Sequence, residues 1–375
     1  MKSKDNGSAP LRIMHVTESL EGGILDFICD ISHFQELEGA KLSVAYIDKS
    51  GSTQRLQVAK RFSENTELHM VASTRNRLST IFHLNHFLKK VLQDGSVDII
   101  HLHSSFAGVA GRLVPSRISK DTKIFYSPHG FSFLKLDSNL IIRKIYLLLE
   151  RVLSKRKFHL ILTSKSEYKL ALRSLKPKCS AAILKNGVRS DYLREFPKLA
   201  RIGKPTVAMI GRICFQKAPW RFSNIASELR GEANFVWIGS RQGDNPAEFG
   251  LIGEDIRIIP WTSMDCLIKE LEDVDVLLFP TLWEGFSLSI PLAQSRGIPA
   301  VVSNIVGNVD AILDGLSGFI CNSDSEMIIS LRKILSDRAL YSSMSKKALE
   351  HAGSSLINSE MGIDSIKIYL FNSLS

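Results

Sequence analysis

Short apolar runs and longer amphipathic stretches alternate along this chain from end to end. An apolar run of strand length bounded by turn residues reads as a buried strand, and apolar residues recurring every third or fourth position read as a one-sided helix. In the first half the strand candidates are Arg12–Val16, Leu42–Ile47, Ile99–His103, Lys123–Ser127, Leu160–Thr163 and Ala182–Leu184. Helical spacing lies between them, as over Ile81–Leu92 and Ile141–Leu153. In the second half they are Thr206–Ile210, Asn234–Ile238, Ile256–Ile259, Val274–Phe279, Ala300–Val302 and Gly318–Ile320. Strands alternating with helices of this length predict an α/β protein whose parallel sheets are wound on both faces. The pattern breaks near Ser190–Lys204, where Pro197, Gly203 and Pro205 flank a charged stretch. Two doubly wound, Rossmann-like domains are therefore expected, residues 1–200 and 201–356, facing each other across a cleft. The closing segment Met361–Leu374 is a further helix candidate, so that residues 357–375 join the first domain.

On an open α/β sheet, ligands bind in the loops beyond the carboxyl ends of the strands, so those loops hold the candidate chemistry. The richest is Pro280–Asp314, where the Val274–Phe279 run is followed by Trp283-Glu284-Gly285-Phe286-Ser287-Leu288 and then a helical pattern. Glu284 thus sits where a buried strand meets a helix, and the amides of Phe286, Ser287 and Leu288 are placed to meet an anion such as a phosphate. Beyond Thr206–Ile210 comes Gly211-Arg212-Ile213-Cys214-Phe215-Gln216-Lys217. Arginine can hold two oxygens at once and lysine acts as a point charge, so Arg212 and Lys217 form a candidate phosphate clamp. In the first half, Gly22-Gly23 before a helix allows backbone to approach a ligand. His101-Leu102-His103 and Pro128-His129-Gly130 end neighbouring strands, and His129 is expected to face the cleft. No third ligand at metal spacing accompanies these histidines, which argues against zinc. Asp273-Val274-Asp275 matches a metal-binding DxD string, but it runs straight into an apolar strand and reads as its start.

Composition narrows the picture. Of 375 residues 44% are hydrophobic and 23% charged, as in an ordinary globular protein. The five cysteines are scattered, with no CxxC, which suits a reducing compartment. No apolar run approaches membrane-spanning length, and MKSKDNGSAP lacks a signal core, so a cytoplasmic protein is expected. Neither GxGxxG nor a Walker sequence occurs, which counts against a dehydrogenase or a P-loop NTPase. Charge is uneven: residues 1–200 hold 32 Lys+Arg and 18 Asp+Glu, against 16 and 20 in the remainder. That bias fits either an anionic partner or plain solubility. Basic residues are not interleaved with aromatics, so nucleic acid is not expected. Leu134–Phe158 is a basic amphipathic segment; its apolar stripe can pack on the first sheet or lie on an anionic membrane, which would seat the protein on the inner face of the cell membrane.

Taken in order, these pieces resemble retaining glycosyltransferases of family 4, with the GT-B fold, of the bacterial polysaccharide type. The matching pieces are Gly22-Gly23, His101-Leu102-His103 with Ala107-Gly108, Pro128-His129-Gly130, Asn186-Gly187-Val188, Gly211-Arg212 to Gln216-Lys217, Glu284-Gly285-Phe286-Ser287-Leu288, and Asp314-Gly315 to Gly318. The resemblance implies transfer of a sugar from a nucleotide-diphosphate donor to a glycan or lipid-linked glycan acceptor, with retention and without metal or cofactor. It assigns Arg212 and Lys217 to the diphosphate, Glu284 to sugar and phosphate, and His129 to the reaction centre. Gly22, Gly23, His103, Gly211, Trp261, Phe286, Ser287 and Leu288 complete the substrate-binding set.

One position departs from the family pattern. A second glutamate that grips the ribose is replaced by Leu292. Losing a charge-assisted hydrogen bond of ~1.5–3 kcal/mol would lower donor affinity ~10- to 100-fold, so either another group takes over, or the nucleotide lacks the 2′-hydroxyl, or the protein is inactive. Ala218 also stands where the family often has glycine. Two alternatives stay open at this point: a nucleotide-sugar epimerase on the same fold, and a non-catalytic partner subunit.

Overall fold

The computed structural model describes residues 9–48, 58–115, 117–118, 121–241, 244–251, 256–354, 356–357 and 359–371. The first sheet contains β1 (Arg12–Thr17), β2 (Lys41–Asp48), β3 (Glu67–Ser73), β4 (Ile99–His103), β5 (Lys123–Ser127), β6 (His159–Leu162) and β7 (Ala181–Ile183). Their order is β3-β2-β1-β4-β5-β6-β7, and every pairing is parallel. Between these strands run α1 (Gly22–Leu37), α2 (Arg77–Asp94), α3 (Ser105–Arg112), α4 (Leu140–Leu153) and α5 (Lys165–Leu175). After a short β8 (Val188–Arg189) the chain enters the second sheet. That sheet, again parallel, has β9 (Thr206–Ile210), β10 (Asn234–Ser240), β11 (Ile256–Pro260), β12 (Val276–Phe279), β13 (Ala300–Ser303) and β14 (Gly318–Cys321), ordered β11-β10-β9-β12-β13-β14. Its helices are α6 (Pro219–Glu228), α7 (Met264–Leu271), α8 (Ser289–Ser295), α9 (Asp324–Ser336) and α10 (Arg338–Gly353).

The fold is thus the two-domain α/β architecture expected. Crossover helices cover both faces of a parallel sheet, which is why its strands read as unbroken apolar runs. Apolar clusters line each face of the first sheet, and another fills the second domain. In each sheet the strand order reverses once, between β1 and β4 and between β9 and β12. Such a reversal opens a crevice at the carboxyl ends of the strands.

Two details depart from the sequence reading, β3 and the start of β12. β3 was not foreseen; it is a partly exposed edge strand without clean alternation. Val274 and Asp275 precede β12 instead of belonging to it. Asp275 is buried and accepts from Thr206 N at 2.8 Å and Arg201 Nε at 3.1 Å, so that DxD carboxylate is engaged at the end of the sheet away from the crevice. After α10 the chain crosses back: β15 (Leu356–Ile357) pairs with β8, and α11 (Ser359–Phe371) packs on α1.

Helix α4 is inside out. Only Glu150 and Leu153 are buried. Glu150 turns inward to Arg112 at 2.9 and 3.1 Å and to Tyr126 Oη at 3.0 Å. The apolar stripe faces outward, with Leu140 68%, Ile141 71%, Ile145 55%, Leu148 62% and Val152 53% exposed. Lys144, Arg151, Lys155, Arg156 and Lys157 are exposed beside it. Packing of the stripe on the first sheet, one of the two readings of this segment, is therefore not what the chain adopts.

Candidate functional site

The loops of the two crevices meet. In the first domain, β5 ends and the chain turns through His129 (φ 51°) and Gly130 (φ 94°), two successive left-handed residues. Such a conformation costs a non-glycine residue ~1–2 kcal/mol and is kept only where surroundings fix it. Here Gly130 N donates to Glu167 Oε1 at 2.8 Å, while Thr163 N and Oγ1 donate to the other oxygen of the same buried carboxylate. Burial pushes the Glu167 carboxyl up, and the hydrogen bonds from Thr163 and Gly130 oppose that. Sequence reasoning missed Glu167, although Ser164-Lys165-Ser166-Glu167 is a capping-box string.

In the second domain, Glu284 and Gly285 leave β12. A Cβ on Gly285 would lie 2.4 Å from Gly130 N and 2.5 Å from the His129 carbonyl carbon. The histidine–glycine and glutamate–glycine turns therefore touch backbone to backbone, and only glycine fits between them. Ser164 Oγ donates to Gly285 O at 3.3 Å, and Ser166 holds Asp310 and accepts from Gly307 N at 2.8 Å. Gly23 faces Leu288, its Cβ position 3.9 Å from Leu288 Cδ1. Arg241 reaches Glu21 across the mouth at 3.2 Å.

The β9 loop supplies the cations. Gly211 lets the Lys217 stem pass, since a Cβ would sit 3.2 Å from Lys217 Cε. Lys217 Nζ pairs with Glu284 Oε1 at 2.7 Å and lies 4.6 Å from the Phe279 ring centre. Both side chains of this pair are largely buried. Arg212 is exposed and has no ion pair or hydrogen bond with another described residue. The amides of Phe286, Ser287 and Leu288 likewise have no acceptor among the described residues. Ala218 adopts φ 50° and is buried. Left-handed strain of ~1–2 kcal/mol is only partly offset by a buried methyl of ~0.8 kcal/mol, so alanine there carries a small net cost.

Beside these groups, a cavity of about 980 Å³ separates the domains. From the second domain it is lined by Ile210, Gly239 and Trp261, with Trp261 56% exposed. From the first come α1 and the Arg61 and Arg189 side chains. Asp30 on its wall is pushed up to about 6 by burial and by Asp26. This acidic pair carries no motif by which sequence reasoning could have found it. Leu292 is buried in the apolar cluster of the second domain.

Two histidine expectations bear on the site. His103 is fully buried, with Nδ1 2.9 Å from His129 Nε2 and Nε2 2.9 Å from His15 Nδ1, so it sits behind His129. A third histidine does join His101 and His103, because β1 pairs with β4 and brings His15 opposite His101. Each ring nitrogen of this trio already has a partner, so a metal would have to displace hydrogen bonds.

The chain is similar to known glycosyltransferases. Residues 204–337 match the family described as Glycosyl transferases group 1. The chain is 25% identical over 333 residues to an uncharacterized 41.2 kDa protein in the cps region of Klebsiella pneumoniae, covering 86% of this chain and 89% of that one. It is 27% identical to the Escherichia coli UDP-Gal:alpha-D-GlcNAc-diphosphoundecaprenol alpha-1,3-galactosyltransferase, covering 68% and 70%. Among solved structures, sucrose-phosphate synthase from Thermosynechococcus elongatus superposes with a TM-score of 0.79 at 15% identity, covering 96% and 99%. Anabaena HepE in complex with UDP and glucose superposes at 0.74 with 14% identity, covering 96% and 100%.

Proposed function

Since the chain is a bacterial polysaccharide-type glycosyltransferase of the GT-B fold, similar to family 4, we propose that it moves a sugar from a nucleoside-diphosphate donor to a hydroxyl of a lipid-linked glycan, with retention and without a metal ion. The observation that carries this reading is the backbone contact of His129-Gly130 with Glu284-Gly285, which joins the turn bearing a candidate reaction-centre histidine to the turn bearing the carboxylate of the Lys217–Glu284 pair. Arg212, unpaired among the described residues, and Lys217 would take the charge that develops on the departing diphosphate, and Glu284 would be freed to meet sugar hydroxyls. Stabilisation of that charge, with positioning in a closed cleft, supplies the catalysis. Support for the donor class comes from the neighbour bound to UDP and glucose, and for the acceptor class from the relative named for a diphosphoundecaprenol-linked substrate.

The test is direct. Nucleoside diphosphates are screened by thermal shift, since a ligand of the native state raises stability by mass action. Transfer from the matching nucleotide sugars to short-chain lipid diphosphate sugars is then followed by mass spectrometry, and product anomeric configuration is read by NMR. The expected outcome is transfer with retention, unchanged by a chelator. Absence of any nucleotide binding would favour the non-catalytic alternative.

Helix α4 supports a seat on an anionic bilayer. No helix among the described residues is long and apolar enough to cross a membrane. An exposed apolar stripe flanked by cations has instead the character of a helix lying in the lipid interface, and each cation near such a surface contributes about 1 kcal/mol. Such a seat would bring a lipid-linked acceptor to the basic first domain.

A further inference from the structure

Behind His129 lies a buried hydrogen-bond chain that ends on the C-terminal helix. Gly362 makes this possible: a Cβ there would come within 2.6 Å of Phe34 O, so only glycine lets α11 approach α1 closely. The approach sets Ser365 and Tyr369 against Gln35 of α1, whose Nε2 lies 2.9 Å from Ser365 Oγ and 3.2 Å from Tyr369 Oη. Lys123 Nζ holds the end of α11 through the carbonyls of Tyr369 and Leu370, at 3.0 and 2.7 Å. Gln35 Oε1 in turn lies 2.9 Å from His15 Nε2.

Each hydroxyl has one proton, and two carbonyls decide where two of them go. Ser365 donates to Gly362 O at 2.7 Å, so it can only accept from Gln35, whose amide nitrogen must face it. Gln35 Oε1 then faces His15, which must carry its proton on Nε2. His15 Nδ1 accepts from His103 Nε2–H, and His103 Nδ1 accepts from His129 Nε2–H. Separately, Ser127 donates to Ile161 O at 2.9 Å, so it accepts from His101 Nε2–H. His101 Nδ1 then accepts from Tyr369 O–H at 2.8 Å, and Tyr369 Oη accepts from Gln35. The two branches meet at Gln35 without conflict.

We infer that Gln35, oriented by Ser365 and Tyr369 of the C-terminal helix and acting through His15 and His103, is a positioning group that holds His129 in its Nε2–H tautomer. His129 Nδ1 is then an open acceptor: it can receive a hydrogen bond from a hydroxyl but cannot donate one. Burial agrees with neutral rings, holding His15 and His129 down to about 4 and His101 and His103 well below the usual imidazole range. The value of this tautomer to sugar transfer rests on the function proposed above; the tautomer itself does not.

The test is nitrogen NMR of the full chain with ¹⁵N-labelled histidine at pH 7.5, with the His129 signals assigned by their loss in His129→Asn. The expected spectrum has His129 as the Nε2–H form. In Gln35→Met its two nitrogens should move toward a tautomer average, and kcat should fall about tenfold with donor KM nearly unchanged, as when an orienting partner of a functional histidine is lost. In Tyr369→Phe, Ser365 still orients Gln35, so His101 should respond and His129 should not. An Nδ1–H or doubly protonated His129 in the unaltered protein overturns the inference without any variant having to fold. So does a Gln35→Met protein of normal Tm whose His129 tautomer is unchanged. A confirmed tautomer in a protein that transfers no sugar would leave the inference standing and remove the proposed function.

Discussion

At the scale of single residues, Lys217 and Glu284 neutralise each other at 2.7 Å, so the largely buried pair is costly to break from either side. Lys217→Ala or Arg212→Ala should lower turnover about 100-fold, comparable to losing an oxyanion donor. Lys217→Ala should also lower Tm by stranding Glu284, and Arg212→Ala should not. Steady-state rates beside thermal melts separate the two effects, and near-normal turnover in both variants would remove the clamp from the mechanism. At Leu292 no carboxylate is available for a ribose. Ribose and 2′-deoxyribose forms of the donor should therefore compete almost equally, as measured by competition transfer. A strong preference for ribose would mean that another group has taken the role. The histidines predict a pH effect of definite sign. His15 and His129 fall to about 4 in the native protein, below the unfolded value near 6.5. The unfolded chain thus binds more protons between these limits, and their contribution is full above pH 6.5 and lost as pH falls toward 4. Asp30, raised to about 6, acts in the opposite direction over part of that range. Four neutral histidines outweigh it, so Tm should drop between pH 7 and 5, and a flat profile would contradict the neutral relay.

At the scale of elements, α4 carries two opposite surfaces. Its inner face is an ion pair, and Arg112→Met should destabilise by ~3–5 kcal/mol because Glu150 is left buried without its counter-charge, holding only the Tyr126 hydroxyl; urea unfolding measures this. Its outer face is apolar, and Ile141→Glu with Leu148→Glu should leave stability unchanged within ~0.5 kcal/mol, as for exposed positions. The same double variant should abolish sedimentation with anionic vesicles at low salt. Equal, negligible binding of the unaltered protein to anionic and neutral vesicles would remove the membrane seat, and a salt-independent dimer lost in the double variant would assign the stripe to a second copy.

At the scale of the whole molecule, the proposed transfer would depend on the contact between the two domains. Gly285→Ala cannot keep its contact with Gly130, so the domains must separate there. Donor binding should survive, since the cations and Glu284 stay in one domain. Transfer should fall at least about 100-fold, because positioning across a closed cleft is lost. Calorimetric donor binding beside a rate measurement distinguishes this from general unfolding.

Periodicity alone specified most of the architecture. Twelve strand candidates, from Arg12–Val16 to Gly318–Ile320, all fall on strands, because both faces of a crossover sheet are covered and buried strands must be apolar throughout. Motif position was legible for the same reason: Gly211–Lys217 and Glu284–Leu288 follow strands, and ligand loops follow strands. What the chain alone did not give was anything that depends on which segments meet. His15 becomes a partner of His103 only through the β1–β4 register, and Gln35 becomes its anchor only through a helix more than 320 residues away. The orientation of α4 was equally undecided, since an amphipathic stripe has the same period whether it turns toward the core or away. A single buried carboxylate, Glu150, pinned to Arg112, settled it. Local pattern is a property of neighbours in sequence, but burial, tautomer and closure belong to neighbours in space, and only the folded chain decides those.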